Sequence, residues 1–500
     1  MRRSPIPGAA LRTGVALAAL LLLPGSAATT PDLDRLKREV DAALDQGSYA
    51  RADWGVLVVS LDRGDTLFAR SPSVPLSPAS NMKVLTSAAA LHYLGPDYRF
   101  TTWLLSDGPI RDGVLEGDLI LYGTGDPGIS DRFFPTRSTV FEALAAELQA
   151  AGIHRIQGSV IGDGSRYTGD LRSLEWEVGD LNEWFAAPSG ALSYNENVVS
   201  LRIAPGLVGG PPEIGSIPDH TGLPTMNEAR TVGSGSRSPL AIVRDDPEEP
   251  VRVVGDIRAG SRDVWRQMTI TDPALFAAHG LTHVLRDAGV EVMGAPKSSS
   301  EAGVAPSSHG PLVAGRAPTP VLAIHQSPPL SRYLEAVNQR SHNLYADLIL
   351  KTLGFELFGE GSFEAGERAV LQYLEEIGAP TEDIRVLDGS GLAPGNRVTP
   401  GSLVSVLTSV AQSPGWDAFW ESLPEAGAST MNRRMSRTRA AGNLRAKTGT
   451  ISRVSSLSGF VRTADGEQLA FAIIGNRLPS QYGAKRLEDR VGEALASYRR

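Results

Sequence analysis

The chain has 500 residues, of which 41% are hydrophobic and 21% charged, with eight histidines, no cysteine and a formal net charge of −8. That length exceeds what one hydrophobic core serves, so two to four domains are expected, and the composition is that of an ordinary soluble globular protein. The acidic balance argues against nucleic acid as a partner, and the missing cysteines exclude disulfides, thiolate-bound metals and a lipidated N-terminal cysteine.

Residues 1–28 read as an export signal. Arg2, Arg3 and Arg12 form a basic start, Thr13 to Leu23 an apolar run, and Ser26-Ala27-Ala28 the small residues that a signal peptidase needs. The run is short for a membrane span, and a retained N-terminal anchor is the alternative. Cleavage would remove three arginines and no acids, taking the net charge from −8 to −11. An exported protein is expected, in the periplasm or another extracytoplasmic space, soluble or loosely membrane-associated.

Pro31 to Leu44 has helical spacing, with Thr30 as candidate N-cap and Pro31 at the first helical position. Trp54 to Ala69 predicts a hairpin turning at Asp62-Arg63-Gly64-Asp65. A polar loop from Ser71 to Pro78 leads into a helix over Ser80 to Leu94, closed by Gly95-Pro96. From about Thr101 to Ala314 short apolar strands alternate with Gly/Pro-rich turns, such as Gly206 to Pro224 and Gly233 to Pro239. This predicts one or two inserted β-rich subdomains. Helices follow over Leu330 to Arg340 and Leu344 to Leu353. Three strands (Leu444 to Lys447, Val454 to Arg462, Glu467 to Ile474) and a helix from about Ala484 to Tyr498 end the chain. The two ends together predict one antiparallel sheet flanked by helices, an α+β domain of residues 29–100 and 315–500, with 101–314 inserted.

Ser80-Asn81-Met82-Lys83 places a hydroxyl and an amine three residues apart on one helix face, so the Lys83 amine can approach the Ser80 hydroxyl. Such a lysine acts as a base only if burial or a second cation lowers its pKa. With 46 serines and six lysines, chance alone supplies about half a match, and an ordinary helix start explains one as well. Lys447-Thr448-Gly449 is rarer, about 0.03 matches by chance, and falls on a predicted strand that can present lysine and threonine to a cleft. Ser341-His342-Asn343 supplies a Ser-x-Asn between two predicted helices. Ser193-Tyr194-Asn195 matches the same pattern but lies inside the insertion, and the later copy is preferred.

S-x-x-K, S-D-N and K-T-G are a signature of penicillin-binding proteins and class A β-lactamases, and here the second reads Ser341-His342-Asn343, a middle residue that varies in this class. The sequence resembles the class C low-molecular-mass penicillin-binding proteins, the D-alanyl-D-alanine carboxypeptidase/endopeptidase family. Pro78 to Lys83, Gly125-Asp126-Pro127, Ala187 to Asn197, Asp388-Gly-Ser-Gly-Leu392 and Ser458-Gly-Phe-Val461 all look like that family's blocks. The 258-residue gap from Lys83 to Ser341 also suits it, whereas compact β-lactamases carry no such insertion.

The resemblance implies a serine β-lactamase/DD-peptidase-like domain acting on peptidoglycan stem peptides and cross-links, and acylated by β-lactams. Ser80 would be the nucleophile, Lys83 its base, Ser341 a proton relay, and Asn343 a holder of the peptide or of Lys83. Lys447, Thr448, Gly449 and Thr450 would bind substrate, with backbone N–H groups of Ser80 and Thr450 as oxyanion hole. Asp163 and Tyr167 resemble the family's contacts to the peptide side chain. No metal or organic cofactor is implied. One departure stands out: Pro394 occupies a position where an arginine often grips the stem-peptide side chain, with Arg397 as a nearby substitute. A β-lactamase and a non-catalytic scaffold of the same fold are the competing readings.

Three further features have plainer readings. Gly123-Thr-Gly-Asp-Pro-Gly128 matches a dinucleotide-binding pattern, but Pro127 and the polar residues after it predict a turn instead of the required helix. The scattered histidines make no zinc motif. Trp176 and Trp184 could line a glycan cleft, but packing is the better expectation.

Overall fold

The computed structural model describes residues 31–219, 221–233, 239–299 and 320–500; the expected signal at 1–28 and the Thr30 cap lie outside the described residues. Strands Asp53–Ser60 (β1), Thr66–Arg70 (β2), Arg445–Ile451 (β3), Val454–Arg462 (β4) and Gln468–Asn476 (β5) come from both ends of the chain. They form one antiparallel sheet in the order β2-β1-β5-β4-β3.

β4 and β5 are buried over nearly their whole length because both faces of the sheet are covered. Alternation along β5 sorts its side chains between two cores. Leu469, Phe471 and Ile473 meet Leu36 and Val40 of helix Pro31–Leu44 (α1) and residues of the C-terminal helix Gln481–Ser497. Ala470, Ala472 and Ile474 face the opposite core. That core is built from helices Met82–Tyr93 (α2), Leu330–Gln339 (α3), Asn343–Phe358 (α4) and Pro400–Val410 (α5).

The small side chains on this face let α5 lie close against β5. α2 is buried from Met82 to Leu91, so its small residues Ala88, Ala89 and Ala90 suit a helix with no solvent face. It packs against α4, which brings the two motif-bearing helix starts together.

The inserted region has its own core and is not purely β. Its five-stranded sheet runs in the order Lys297–Ser298, Val160–Asp163, Leu119–Tyr122, Thr101–Ser106, Val321–Gln326. Helices Thr139–Ala150 and Pro273–Asp287 pack into the same core. The spacing Val140, Phe141, Leu144, Ala145, Leu148 is the buried face of the first helix, a 3.6-residue pattern masked by the surrounding turn-rich texture. The strand Val321–Gln326 pairs with Thr101–Ser106, so the insertion closes beyond the expected boundary at 314. Boundary residues 300–319 lie outside the described ones.

Gly123 to Gly128 forms a loop, with Gly125 at φ +104° and the Asp126 carboxylate accepting from Gly128 N (2.8 Å) and the Tyr333 hydroxyl (2.5 Å). That tie to α3 leaves no helix start for a pyrophosphate.

Phe471 is fully buried at the middle of the sheet. Phe471→Ala should therefore cost about 3–5 kcal/mol of stability, measurable as a lowered urea midpoint.

Candidate active site

The chain reaches α2 through a tight turn, Ala79–Asn81, in which Ala79 adopts φ +47°. Polar side chains from β4 hold this turn. Ser456 Oγ donates to Pro78 O at 2.6 Å, Asn81 Nδ2 donates to Ser456 Oγ at 2.5 Å, and the Ser458 hydroxyl donates to Asn81 Oδ1. β3 lies against the same turn: a Cβ on Gly449 would fall 2.7 Å from Pro78 O and 3.0 Å from Asn81 Nδ2. Glycine is needed there because two backbones touch.

Lys83 is fully buried, and its ammonium donates to Ser80 Oγ (3.1 Å), Asn343 Oδ1 (2.7 Å) and Ser390 O (2.6 Å). Burial lowers its pKa to about 8, against the opposing pull of the Asp347 and Asp388 carboxylates. The Ser390 carbonyl belongs to a loop knotted around Asp388. That carboxylate accepts from Gly391 N (2.6 Å), Ala393 N (2.7 Å), Asn396 Nδ2 (3.0 Å) and Trp176 Nε1 (2.8 Å). A Cβ on Gly391 would sit 1.9 Å from Ala79 O, so only glycine, here at φ +80°, lets the loop reach the nucleophile turn.

Ser341 lies at φ +56° immediately before α4, and its Oγ accepts from Lys447 Nζ at 2.9 Å. Lys447 also donates to Thr448 O at 2.7 Å, and burial, then the charge of Lys83, push its pKa well below the ordinary lysine value. Asn343 donates to Phe185 O at 2.9 Å, a carbonyl supplied by the insertion. Ser80, Lys83 and Asn343 thus form one hydrogen-bonded group and Ser341 and Lys447 a second, brought side by side by the short Ser341–Asn343 segment, with Thr448 and Gly449 on the β3 strand beside them. Thr450 lines the cleft of about 320 Å³ above Ser80.

Two expected side-chain contacts do not belong to this cleft. Tyr167 is buried, its hydroxyl shared with Thr352 Oγ1 (2.6 Å) and donated to Leu348 O (3.2 Å), so it fastens the insertion to α4. Asp163 is fully buried in a strand of the inserted sheet, where it accepts from Ser165 N at 2.8 Å. Both carry the polar groups of a binding site, but their partners lie within the fold. The cleft instead takes Glu177, Asp180 and Phe185 from the same inserted stretch. Trp176 is buried with its indole N–H on Asp388, whereas Trp184 is 41% exposed. Arg397 donates to Pro394 O (2.8 Å) and Asn396 O (2.7 Å), so its guanidinium braces its own loop.

Sequence reasoning also missed Asp347 and Lys351. They follow Asn343 by four and eight residues, on the helix face that Asn343 occupies. A carboxylate and an ammonium one turn apart within the apolar stretch Leu344–Leu353 were the available signal. Burial and Asp388 push the Asp347 carboxyl well above its usual range, opposed by Lys83, Ser390 and Lys351. Lys351 donates to Asp170 O (2.7 Å) and Ser189 O (3.1 Å), and burial lowers its pKa to about 8. Lys83, Asp347 and Lys351 are thus buried titratable groups that influence one another electrostatically.

A family profile described as the D-Ala-D-Ala carboxypeptidase 3 (S13) family matches residues 36–497. The chain belongs to this peptidase family. It is 33% identical over 482 residues to a D-alanyl-D-alanine carboxypeptidase of Actinomadura sp. (strain R39), covering 93% of this chain and 85% of that one. It is 27% identical to the D-alanyl-D-alanine carboxypeptidase DacB of Haemophilus influenzae, over 83% of this chain and 84% of the relative. The crystal structure of penicillin-binding protein 4 (dacB) from H. influenzae superposes with a TM-score of 0.77 at 25% identity, covering 94% of this chain and 100% of that one. The protein is accordingly a serine-type enzyme of the D-Ala-D-Ala carboxypeptidase class with an α+β penicillin-binding fold.

A Lys83 that served as the base for Ser80 would have to be neutral to accept its proton, and would then set the pH response. Acylation of Ser80 by a reactive probe should rise with pH through a midpoint near 8, the value at which Lys83 sheds its proton. Lys83→Met should lower that rate by about 10² or more at all pH values, measured by stopped-flow labelling.

Proposed function

We propose that this enzyme hydrolyses D-alanyl-D-alanine peptides of peptidoglycan, both as stem termini and as cross-links, through an acyl-enzyme on Ser80. The observation that carries this reading is the Lys83 ammonium bridging Ser80 Oγ and Asn343 Oδ1, beside a Lys447 that holds Ser341. Neutral Lys83 takes the hydroxyl proton as Ser80 Oγ attacks the penultimate D-alanine carbonyl. Backbone N–H groups of Ser80 and Thr450 meet the oxyanion; losing one such donor typically costs about 3 kcal/mol. The Ser341 hydroxyl passes a proton to the departing amine, while Lys447 and Thr448 bind the terminal carboxylate. Water then releases the acyl group. A β-lactam carries the same carboxylate and a strained amide, so it acylates Ser80 in the same way.

The cleft wall gives the reading a side-chain preference. Glu177 and Asp180 place two carboxyl groups at the cleft, and the Asp180 pKa is raised by burial and then by Glu177 and Glu183. With Pro394 beside them and Arg397 turned to its own loop, the wall suits a stem peptide whose side chain ends in an ammonium group. Among the described residues no helix is long and apolar enough to cross a membrane. The signal-like residues 1–28 support work outside the cytoplasm on the cell wall.

A fluorescent penicillin should form a slowly released adduct that disappears in Ser80→Ala, with kcat on peptide falling by about 10⁶. Rapid turnover of the label would point to a β-lactamase, and no adduct to a scaffold. Mass spectrometry of digested peptidoglycan should show both loss of terminal D-alanine and opened cross-links. Asp180→Asn should raise KM for an amine-bearing stem peptide by about tenfold, with little change for its N-acetylated form.

A further inference from the structure

We infer that Glu196, carried by the inserted region, is a positioning residue for the Ser341–Asn343 loop and thereby for proton delivery to the leaving amine. The inference rests on the peptidase reading above and extends it to a residue three positions beyond the Ser193 that mimics Ser341 in sequence.

Both partners in this contact hold strained backbone. Ser341 lies at φ +56°, and Asn195, Glu196 and Asn197 follow one another at φ +47°, +56° and +57°. Left-handed conformations are costly for L-residues other than asparagine and aspartate, so at Glu196 and Ser341 they persist only where neighbouring groups enforce them. The enforcement is visible at the 195–197 turn. Asn195 N donates to Ile129 O (2.8 Å) and its Nδ2 to Val198 O (2.6 Å), while buried Asn197 donates to Pro188 O (2.8 Å) and Ser193 Oγ (2.9 Å). The turn aims the Glu196 side chain at the start of α4.

There the carboxylate is fully engaged. Oε2 pairs with His342 Nε2 at 3.1 Å and accepts from Arg132 Nη2 at 2.9 Å; Oε1 accepts from the Tyr345 hydroxyl at 2.9 Å and from Arg132 Nε. The His342 side chain is only 4% exposed and Glu196 18%. Burial opposes ionisation of Glu196, but His342 and Arg132 overcome it and hold its pKa far below the ordinary carboxylate value. Trp184 and Tyr345 pack edge-on against the imidazole, with ring centroids 5.8 and 4.6 Å away.

His342 stands between the two residues that meet the lysines. Ser341 Oγ accepts from Lys447, and Asn343 Oδ1 accepts from Lys83. Freeing the imidazole therefore releases the peptide unit that keeps Ser341 left-handed. Glu196 touches neither substrate nor reacting atoms, and its effect passes through His342.

The test compares two acyl donors with the same D-alanyl acyl group: a peptide, whose amine must be protonated to leave, and a thioester, whose thiolate needs no proton. Glu196→Gln should lower kcat/KM on the peptide by about tenfold or more and on the thioester by less than about threefold, the split that Ser341→Ala should also give. His342→Gln leaves Arg132 and Tyr345 on Glu196 and should reproduce it. The double variant should be no worse than the weaker single, since the two act as one unit. Thermal melting of each variant reports folding, and if Glu196→Gln fails to fold, His342→Gln decides the matter. Equal losses on both donors, an unchanged peptide rate, or losses that multiply would overturn the assignment. A wild-type enzyme that cleaves neither donor would instead overturn the peptidase reading.

Discussion

Everything at this site is arranged around one buried amine. An ammonium removed from water costs several kcal/mol unless its donors and its charge are both met. Lys83 meets that demand with three acceptors, Ser80 Oγ, Asn343 Oδ1 and Ser390 O, each from a different segment of the chain. The result is a lysine poised near neutrality, whose hydrogen bonds also fix the mutual positions of the nucleophile turn, α4 and the 388–392 loop. The Asp347 and Asp388 carboxylates pull the other way, against the lowering that burial causes.

Those three segments stay in place for different physical reasons. The nucleophile turn is held by serines that a sheet would otherwise bury at a cost; Ser456 and Ser458 are buried but bonded to the Pro78 carbonyl and the Asn81 side chain. The loop is wound around the Asp388 carboxylate, which spends four acceptor positions on backbone and side-chain donors. α4 is anchored from the opposite side by Tyr167, Phe185 and the carbonyls on Lys351. The Trp176, Phe185 and Tyr167 supports and the Asp170 and Ser189 carbonyls on Lys351 all come from the insertion. It forms the second wall of the cleft and braces the first.

Much of the fold was legible because it rests on local chemistry. The short strand stretches Val454–Arg462 and Gln468–Asn476, the turn at Thr463–Gly466 between them and the apolar stretch that follows Met82 announce themselves without a partner. The motifs Ser80-x-x-Lys83, Ser341-x-Asn343 and Lys447-Thr448-Gly449 survived the same reading because their order and context are improbable by chance. The insertion was less legible. Its helix Thr139–Ala150 lies amid short strands, and its closing strand Val321–Gln326 is only a four-residue apolar run ended by His325 and Gln326.

Asp163 and Tyr167 show where local reading stops. A polar residue bound to a substrate and one bound to the protein itself look alike in sequence; Tyr167 proves to spend its hydroxyl on α4, while the less conspicuous Glu177 and Asp180 reach the cleft. The sequence alone determined the sheet built from both termini and which serines and lysines could do chemistry, since spacing along one strand or helix places them. Only the tertiary structure decided which insert residues face Ser80, and which buried carboxylates tune Lys83. Those contacts join segments about a hundred residues or more apart, and no period or motif within either segment encodes its partner.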